Sequence, residues 1–186
     1  MKYLIVGLGN IGQEYELTRH NIGFLVLDRL ADIKKQTFSP GRYASTCMIK
    51  HKGRQIHLIK PATYMNLSGK AVSYWLQELK ISRENMLVIV DDIALPFGKL
   101  RMRAKGSSAG HNGLQNIEDT LGGNDYPRLR FGIGSDFSKG QQADYVLSAF
   151  TKTEFNGILP LMDKSIDMAL SFCSIGIGRT MDQYND

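Results

Sequence analysis

Residues 3–21 read YLIVGLGNIGQEYELTRHN, an apolar stretch running into a glycine-rich turn, and the reading of that turn decides the fold. Gly7, Gly9 and Gly12 spell G-x-G-x-x-G, the spacing with which a dinucleotide-binding βαβ unit brings backbone amides to a pyrophosphate. The residues after Gly12 argue against that use. In such a unit the third glycine already lies in a helix whose apolar face packs on the sheet. Here the next residues include Gln13, Glu14, Tyr15, Glu16, Thr18, Arg19, His20 and Asn21, with Leu17 the only aliphatic among them. An acidic residue should close a second strand roughly 20 residues on, to hold the ribose. Asp28 and Asp32 instead sit among Ile22, Leu25, Val26, Leu27, Leu30 and Ile33, whose spacing is helical. The turn therefore reads as the end of a strand followed by a long polar loop that presents Asn10, Tyr15 and His20 to a site.

Working outward, the chain of 186 residues is the size of one domain, residues 1–186, with enough material for a real core. No window of 18 apolar residues occurs. The N-terminus enters a strand at once, without the charged region, apolar core and cleavage site of an export signal, so a soluble cytoplasmic protein is expected. Cys47 and Cys173 are far apart and flanked by apolar residues, with no CxxC or HxxxH spacing beside them, which argues against a disulfide framework or a zinc site. Lys and Arg number 23 against 18 Asp and Glu, and the excess is concentrated rather than spread.

Patterning predicts a strand at 2–7, a helix near 21–33, and paired strands at 43–51 and 55–60 joined by Lys52-Gly53. After a loop at 61–67, Val72, Trp75, Leu76 and Leu79 mark a helix by their i, i+3, i+4, i+7 spacing. Residues 86–90, MLVIV, form a continuous apolar run, the sign of a strand covered on both faces. Lys99–Arg103 and Arg128–Ile133 alternate charge with bulk, and each reads as a strand with one wet face. Leu114, Ile117 and Leu121 indicate a short helix after Asn112. Thr151-Lys152-Thr153-Glu154 is a capping box ahead of a helical C-terminal region that Pro160 kinks or divides. Strands alternating with helices, plus a hairpin, predict a single α/β domain with a twisted mixed β-sheet flanked by helices.

Asp91 and Asp92 end the buried strand, and in α/β sheets ligands bind at the carboxyl ends of strands. If the first strand runs parallel beside it, Asn10 and the His20 loop emerge at the same edge. A histidine backed by a carboxylate is a general base held in one tautomer; at least one of the two aspartates caps the following turn. Asn10, Asn66 and Asn112 recur in glycine-rich or polar contexts. Each could serve a turn, but together they offer neutral amides suited to gripping a carbonyl, orienting water or stabilising an oxyanion. Tyr64 and Met65 add an aromatic and a pliable apolar face, either of which could instead be core.

Gly106-Ser107-Ser108-Ala109-Gly110 matches the G-x-S-x-G nucleophile elbow, but the acid and histidine of such a hydrolase must come after it in the chain. The only downstream histidine, His111, lies three residues from Ser108, and the preceding strand carries Lys99, Arg101 and Arg103 where an elbow strand is apolar. Lys99, Arg101, Arg103 and Lys105 alternate with Leu100, Met102 and Ala104, so period two places all four cations on one face if the strand persists that far. Arg128 and Arg130 repeat the device. A single-sign stripe reads as a phosphate track for nucleic acid, and the scarcity of aromatics nearby favours backbone contact over base reading.

GLGN-x-G-x-x-Y-x-x-TRHN, PATYMNLSGKA, VDD-x-x-LPFGKLR, AGHNGL, RLRFGIG and DYVL occur in that order from Tyr3 to beyond Leu147, and together they resemble the bacterial peptidyl-tRNA hydrolase family. The resemblance implies a cytoplasmic, monomeric enzyme without metal or cofactor that frees tRNA from prematurely released peptides. It implies His20 as the catalytic base, Asp91 as the acid that keeps it basic, and Asn10 as the group that tells N-blocked aminoacyl groups from free ones. Tyr15, Tyr64, Asn66 and Asn112 match positions that contact peptidyl-tRNA. The chain departs from the family pattern at Ile11, where proline is usual, and at Ser108-Ala109, which replaces part of a glycine-rich stretch and stiffens the loop before His111. In the combined reading, His20 takes a proton from water that attacks the ester, the asparagines hold peptide and oxyanion, and the basic stripe holds the acceptor stem. A non-enzymatic RNA-binding module would use the stripe but would have no use for His20 and Asp91.

Overall fold

Val, Ile and Leu fill the strands that are covered on both faces. In β1 (Lys2–Gly7) everything from Leu4 onward is buried, and β5 (Met86–Asp92) is buried from Met86 to Asp91. The structure, a computed structural model, describes residues 1–185. The other strands are β2 (Ser39–Gly41), β3 (Ala44–His51), β4 (Arg54–Pro61), β6 (Leu100–Arg103) and β7 (Arg128–Gly132). They form one mixed sheet in the order β2-β3-β4-β1-β5-β7-β6. β4, β1, β5 and β7 run parallel, while β3 pairs antiparallel with β4 and β6 antiparallel with β7. The predicted single α/β domain with helices on both faces is the fold observed.

One face of the sheet is covered by α1 (Ile22–Ile33), α5 (Lys152–Ile175) and α6 (Ile177–Tyr184), whose Val26, Leu30, Ile166 and Phe172 pack on Ile5, Leu87 and Leu129. The other is covered by α2 (Ser68–Leu79) and α3 (Asn112–Leu121), whose Val72, Leu76, Leu114 and Ile117 pack on Leu4, Val6 and Val88. A short α4 (Gln142–Val146) lies at the surface. From β1 the chain crosses to β3 and β4 on one side, then to β5 on the other. The sheet therefore reverses its winding between β1 and β5, and their carboxyl ends leave a crevice there, the place where open α/β sheets bind ligands.

Gly7 and Gly9 serve close packing rather than a pyrophosphate, and Gly12 supplies a positive φ of 117° in the turn. A Cβ at Gly7 would lie 2.3 Å from the Gly23 carbonyl oxygen, and one at Gly23 would lie 2.5 Å from the Leu8 nitrogen. Helix α1 thus rests backbone to backbone on the end of β1, which holds the His20 turn over β5.

Three expectations need correction. The strand at 99–103 ends at Arg103, so Lys105 lies beyond it and the four cations do not share one strand face. β7 is an inner strand between β5 and β6, and Arg128 is buried rather than wet. Its guanidinium lies 4.2 Å from the centre of the Tyr126 ring and donates to the Asn124 carbonyl at 2.8 Å. Pro160 does not divide the C-terminal helix, which runs unbroken from Lys152 to Ile175. Asn156, whose carbonyl the proline leaves without its helical donor, is exposed, so water can replace the missing bond. The capping box forms as predicted, Glu154 N donating to Thr151 Oγ1 at 3.1 Å and Thr151 N to Glu154 Oε1 at 2.9 Å.

Because the groups that meet a Cβ at Gly23 are backbone atoms that cannot swing aside, Gly23→Ala should lower the unfolding free energy by about 1–3 kcal/mol. Gly178→Ala in α6, where a Cβ meets nothing within 4 Å, should be neutral or stabilising by up to ~1 kcal/mol. Denaturant titration of both variants distinguishes close packing from a general glycine effect.

Candidate active site

The crevice at the β1/β5 switch is a cavity of about 650 Å³. Its floor holds a carboxylate shared by two imidazoles. Asp91, at the end of β5 and 3% exposed, accepts a hydrogen bond from His20 Nδ1 to Oδ2 at 2.8 Å and another from His111 Nε2 to Oδ1 at 2.8 Å. The rings of His20 and His111 lie 4.9 Å apart, centre to centre. These three side chains could in principle share a metal ion, since their ligand atoms lie within 4.8 Å of one another. The hydrogen-bond geometry, however, accounts fully for their arrangement.

The protons of the cluster can be placed from its partners. His111 is the N-cap of α3, and its Nδ1 accepts from Gly113 N at 3.1 Å and Leu114 N at 3.3 Å. That nitrogen must carry a lone pair, so Nε2 carries the proton that is donated to Asp91. Both nitrogens of His111 are thereby occupied, and it cannot serve as a base. His20 donates Nδ1–H to Asp91, which leaves the Nε2 lone pair facing the cavity that His20 lines. Burial disfavours the imidazolium of His20, but the charge of Asp91 and its hydrogen bond outweigh this, and the pKa is raised above the ordinary histidine value. Burial likewise opposes ionisation of Asp91, yet the two histidines hold it well below the usual carboxylate range.

The His20 turn (Arg19–Asn21) is fixed from behind by Arg19, which is 5% exposed. Its guanidinium pairs with Glu154 at 2.7 Å, donates to Ser148 Oγ, and lies 4.2 Å from the centre of the Tyr145 ring, while its backbone N donates to the Ser148 carbonyl at 3.0 Å. The start of α5 and the α4 segment therefore anchor the turn, and α4 supplies one wall of the cavity through Gln142, Ala143 and Val146.

Asn10 is buried opposite. Its backbone N donates to Asn21 Oδ1 at 2.8 Å, Asn21 Nδ2 donates to its carbonyl at 2.9 Å, and its own Oδ1 accepts from Met65 N at 2.7 Å. With that oxygen occupied, Asn10 has its NH₂ left to offer, a pure donor. Met65 is both core and cavity wall, being 4% exposed and packed in the α2/α3 cluster. Tyr64, Asn66 and Asn112 line the rim, all three exposed, and neither asparagine side chain is hydrogen-bonded within the described residues.

Of the cations, Arg103, Lys105, Arg128 and Arg130 line the cavity, while Lys99, Arg101 and the half-buried Tyr15 do not. Arg130 Nε is paired with Asp92, whose other oxygen accepts from Ala94 N at 2.7 Å, so Asp92 is the aspartate that caps the turn. Arg103 and Arg128 lie directly opposite in register, as do Arg101 and Arg130. Burial, with the charges of Arg101 and Arg130, lowers the pKa of Arg103. Sequence reasoning did not single out His111 or the α4 wall. The signal for His111 was its place immediately before the helix start at Asn112, where an N-cap acceptor is needed. In the loop ahead of it, Ala109 occupies the left-handed region at φ 49°, which costs a non-glycine residue roughly 1 kcal/mol.

A family model described as peptidyl-tRNA hydrolase matches residues 4–186. The peptidyl-tRNA hydrolase of Cytophaga hutchinsonii is 58% identical over 185 residues, covering 100% of this chain and 98% of its own. That of Phocaeicola vulgatus is 57% identical over 185 residues, covering 100% and 99%. The crystal structure of peptidyl-tRNA hydrolase from Acinetobacter baumannii superposes with a TM-score of 0.87 at 35% identity, over 98% of this chain and 94% of that one.

Removing one of the two donors to Asp91 should concentrate its charge on the other. His111→Ala is therefore expected to raise the His20 pKa further, followed by NMR titration of the imidazole, and to destabilise the fold by about 2 kcal/mol through loss of the α3 cap and an unsatisfied carboxylate lone pair. A His20 titration that stays put or moves down would show that Asp91 is not shared.

Proposed function

This chain belongs to the peptidyl-tRNA hydrolase family, and from that membership and the geometry of His20 we propose that it hydrolyses the ester joining a peptide, or an N-blocked aminoacyl group, to the terminal ribose of tRNA. The observation that carries the mechanism is the His20 ring, tied at Nδ1 to Asp91 and open at Nε2 to the cavity. A water at Nε2 gives up its proton as it attacks the ester carbonyl, and the imidazolium that forms is stabilised by the buried carboxylate. A base of this kind contributes on the order of a hundred to ten thousandfold. The vicinal hydroxyl of the ribose makes the leaving group a good one, so neither a covalent intermediate nor a metal is required by the chemistry.

His111 keeps Asp91 in place without competing for the proton. Asn10 offers its NH₂ to the carbonyl of the acylated amino group, while Asn66 and Asn112 stand at the rim to hold the peptide and the developing oxyanion. A free α-ammonium brings no such carbonyl, leaves the donor unpaired, and places a charge against neutral amides. The acceptor end of the tRNA lies toward β7 and β6, where Arg103 and Lys105 supply phosphate contacts with Arg130 behind them. Residues 1–186 act in this reading as one catalytic domain of a cytoplasmic monomer. Among the described residues no helix is long and apolar enough to cross a membrane.

His20→Ala should reduce kcat on N-acetyl-aminoacyl-tRNA at least a hundredfold with binding of tRNA nearly intact; near-normal turnover in the folded variant would remove His20 from the chemistry. Asn10→Asp, which keeps the acceptor for Met65 N but loses the donor, should narrow the ratio of rates on blocked over unblocked aminoacyl-tRNA. Unchanged discrimination would place that role elsewhere.

Replacing Arg103 and Lys105 by Ala should raise KM for full-length substrate, leave kcat nearly unchanged, and reduce the log-log salt slope by roughly 0.9 per lost phosphate contact. A wild-type slope in the double variant would show that RNA lies elsewhere.

A further inference from the structure

Asn10 belongs to the walls of two cavities. One holds His20; the other, of about 490 Å³, opens on the opposite side of Asn10, over the ends of β4 and β3. Its apolar side, Ile11, Leu17, Phe24 and Leu25, faces polar lining from Gln13, Glu16, Asn21 and Ser45, with the ion pair of Lys60 and Asp28 (2.5 Å) in its wall. Ile11 and Leu17 are 43% and 52% exposed, so the apolar side of this cavity is open to solvent. The Lys60 Nζ lies 4.3 Å from the centre of the Phe38 ring, so the ion pair is held against an aromatic face.

The position of the ester determines what can reach this second cavity. Across the sheet order β4-β1-β5-β7-β6, His20 and Asp91 stand over β1 and β5, and the cations stand over β7 and β6. A substrate whose RNA part leaves toward the cations must send its acyl part the other way. The first group met in that direction is the Asn10 NH₂, suited to the carbonyl that precedes the esterified residue, and beyond it lies the Ile11–Leu17 trough. Resting on the hydrolase reading above, we propose that this second cavity is the subsite for the peptide residues upstream of the ester-linked one, and that it favours apolar side chains there. Ile11 and Leu17 cover such a side chain, and the Lys60–Asp28 pair offers a donor and an acceptor to the main chain that passes it. The isoleucine that replaces the usual proline at position 11 becomes, in this view, a specificity residue.

The test compares N-acetyl-aminoacyl-tRNA with N-acetyl-tripeptidyl-tRNA carrying the same esterified residue and two leucines upstream, using wild type and the Ile11→Ser/Leu17→Ser variant. Both side chains are exposed, so the fold should survive the change. In the wild type the leucines should raise kcat/KM on the order of tenfold, and two glycines should raise it far less. The variant should lose most of the leucine gain while cleaving the short substrate at the wild-type rate. A leucine gain preserved in the variant, an equal fall on both substrates, or glycines as effective as leucines would each overturn the subsite. If the wild type cleaves the short substrate but gains nothing from length, the subsite fails and the hydrolase reading stands; if it cleaves neither, both fail.

Discussion

One buried carboxylate carries the site. Asp91 ends an inner strand where water is excluded, and its charge is tolerable there only because two imidazoles donate to it from opposite sides of the sheet. His20 comes from the turn before α1 and His111 from the cap of α3, so the two helical layers meet at this residue. Since His111 uses its other nitrogen as a helix cap, the one imidazole lone pair left over in the cluster is on His20. The same constraint accounts for the glycine packing at residues 7 and 23: unless α1 rests directly on β1, the His20 turn cannot reach the end of β5.

Charge is distributed around this centre by function. Around His20 and Asp91 the cavity presents the neutral amides of Asn10, Asn66 and Asn112. The cations stand on one flank, over the β6/β7 ladder, where Arg103 faces Arg128 and Arg101 faces Arg130. Like charges opposite one another in a sheet are unfavourable without an anion between or above them, and Asp92 relieves the crowding at Arg130. The arrangement suits a polyanion that approaches from that flank and delivers a neutral acyl group to the amides.

Much of this was legible in the residues. The unbroken run of 86–90 announced a central strand, the helical spacing of 22–33 excluded the dinucleotide reading of the glycines, and a parallel pairing of the first strand with that run sufficed to bring Asn10, His20 and Asp91 to one edge. The parts that were not legible depend on long-range packing. Period-two alternation cannot distinguish an edge strand from an inner one, so Arg128 read as wet although Tyr126 and α3 cover it. His111 looked unattached because its partner, Asp91, is 20 positions away in sequence. The α4 wall and the Arg19 anchor have no periodic signature at all; Arg19 is held by Glu154 at the start of the C-terminal helix and by Ser148 in the segment between α4 and that helix.

The central claim is that Asp91 sets the basicity of His20 and that His20 performs the chemistry. The most direct measurement is the pH dependence of kcat/KM on N-acetyl-aminoacyl-tRNA for wild type and Asp91→Asn. Since the carboxylate raises the His20 pKa, and a general base works only when unprotonated, wild-type activity should fall, as pH is lowered, at a pH above the ordinary histidine value. In Asp91→Asn this acid limb should move to lower pH while the plateau drops. An acid limb at the same pH in both enzymes would contradict the account, because the group that titrates would then not be the one Asp91 holds.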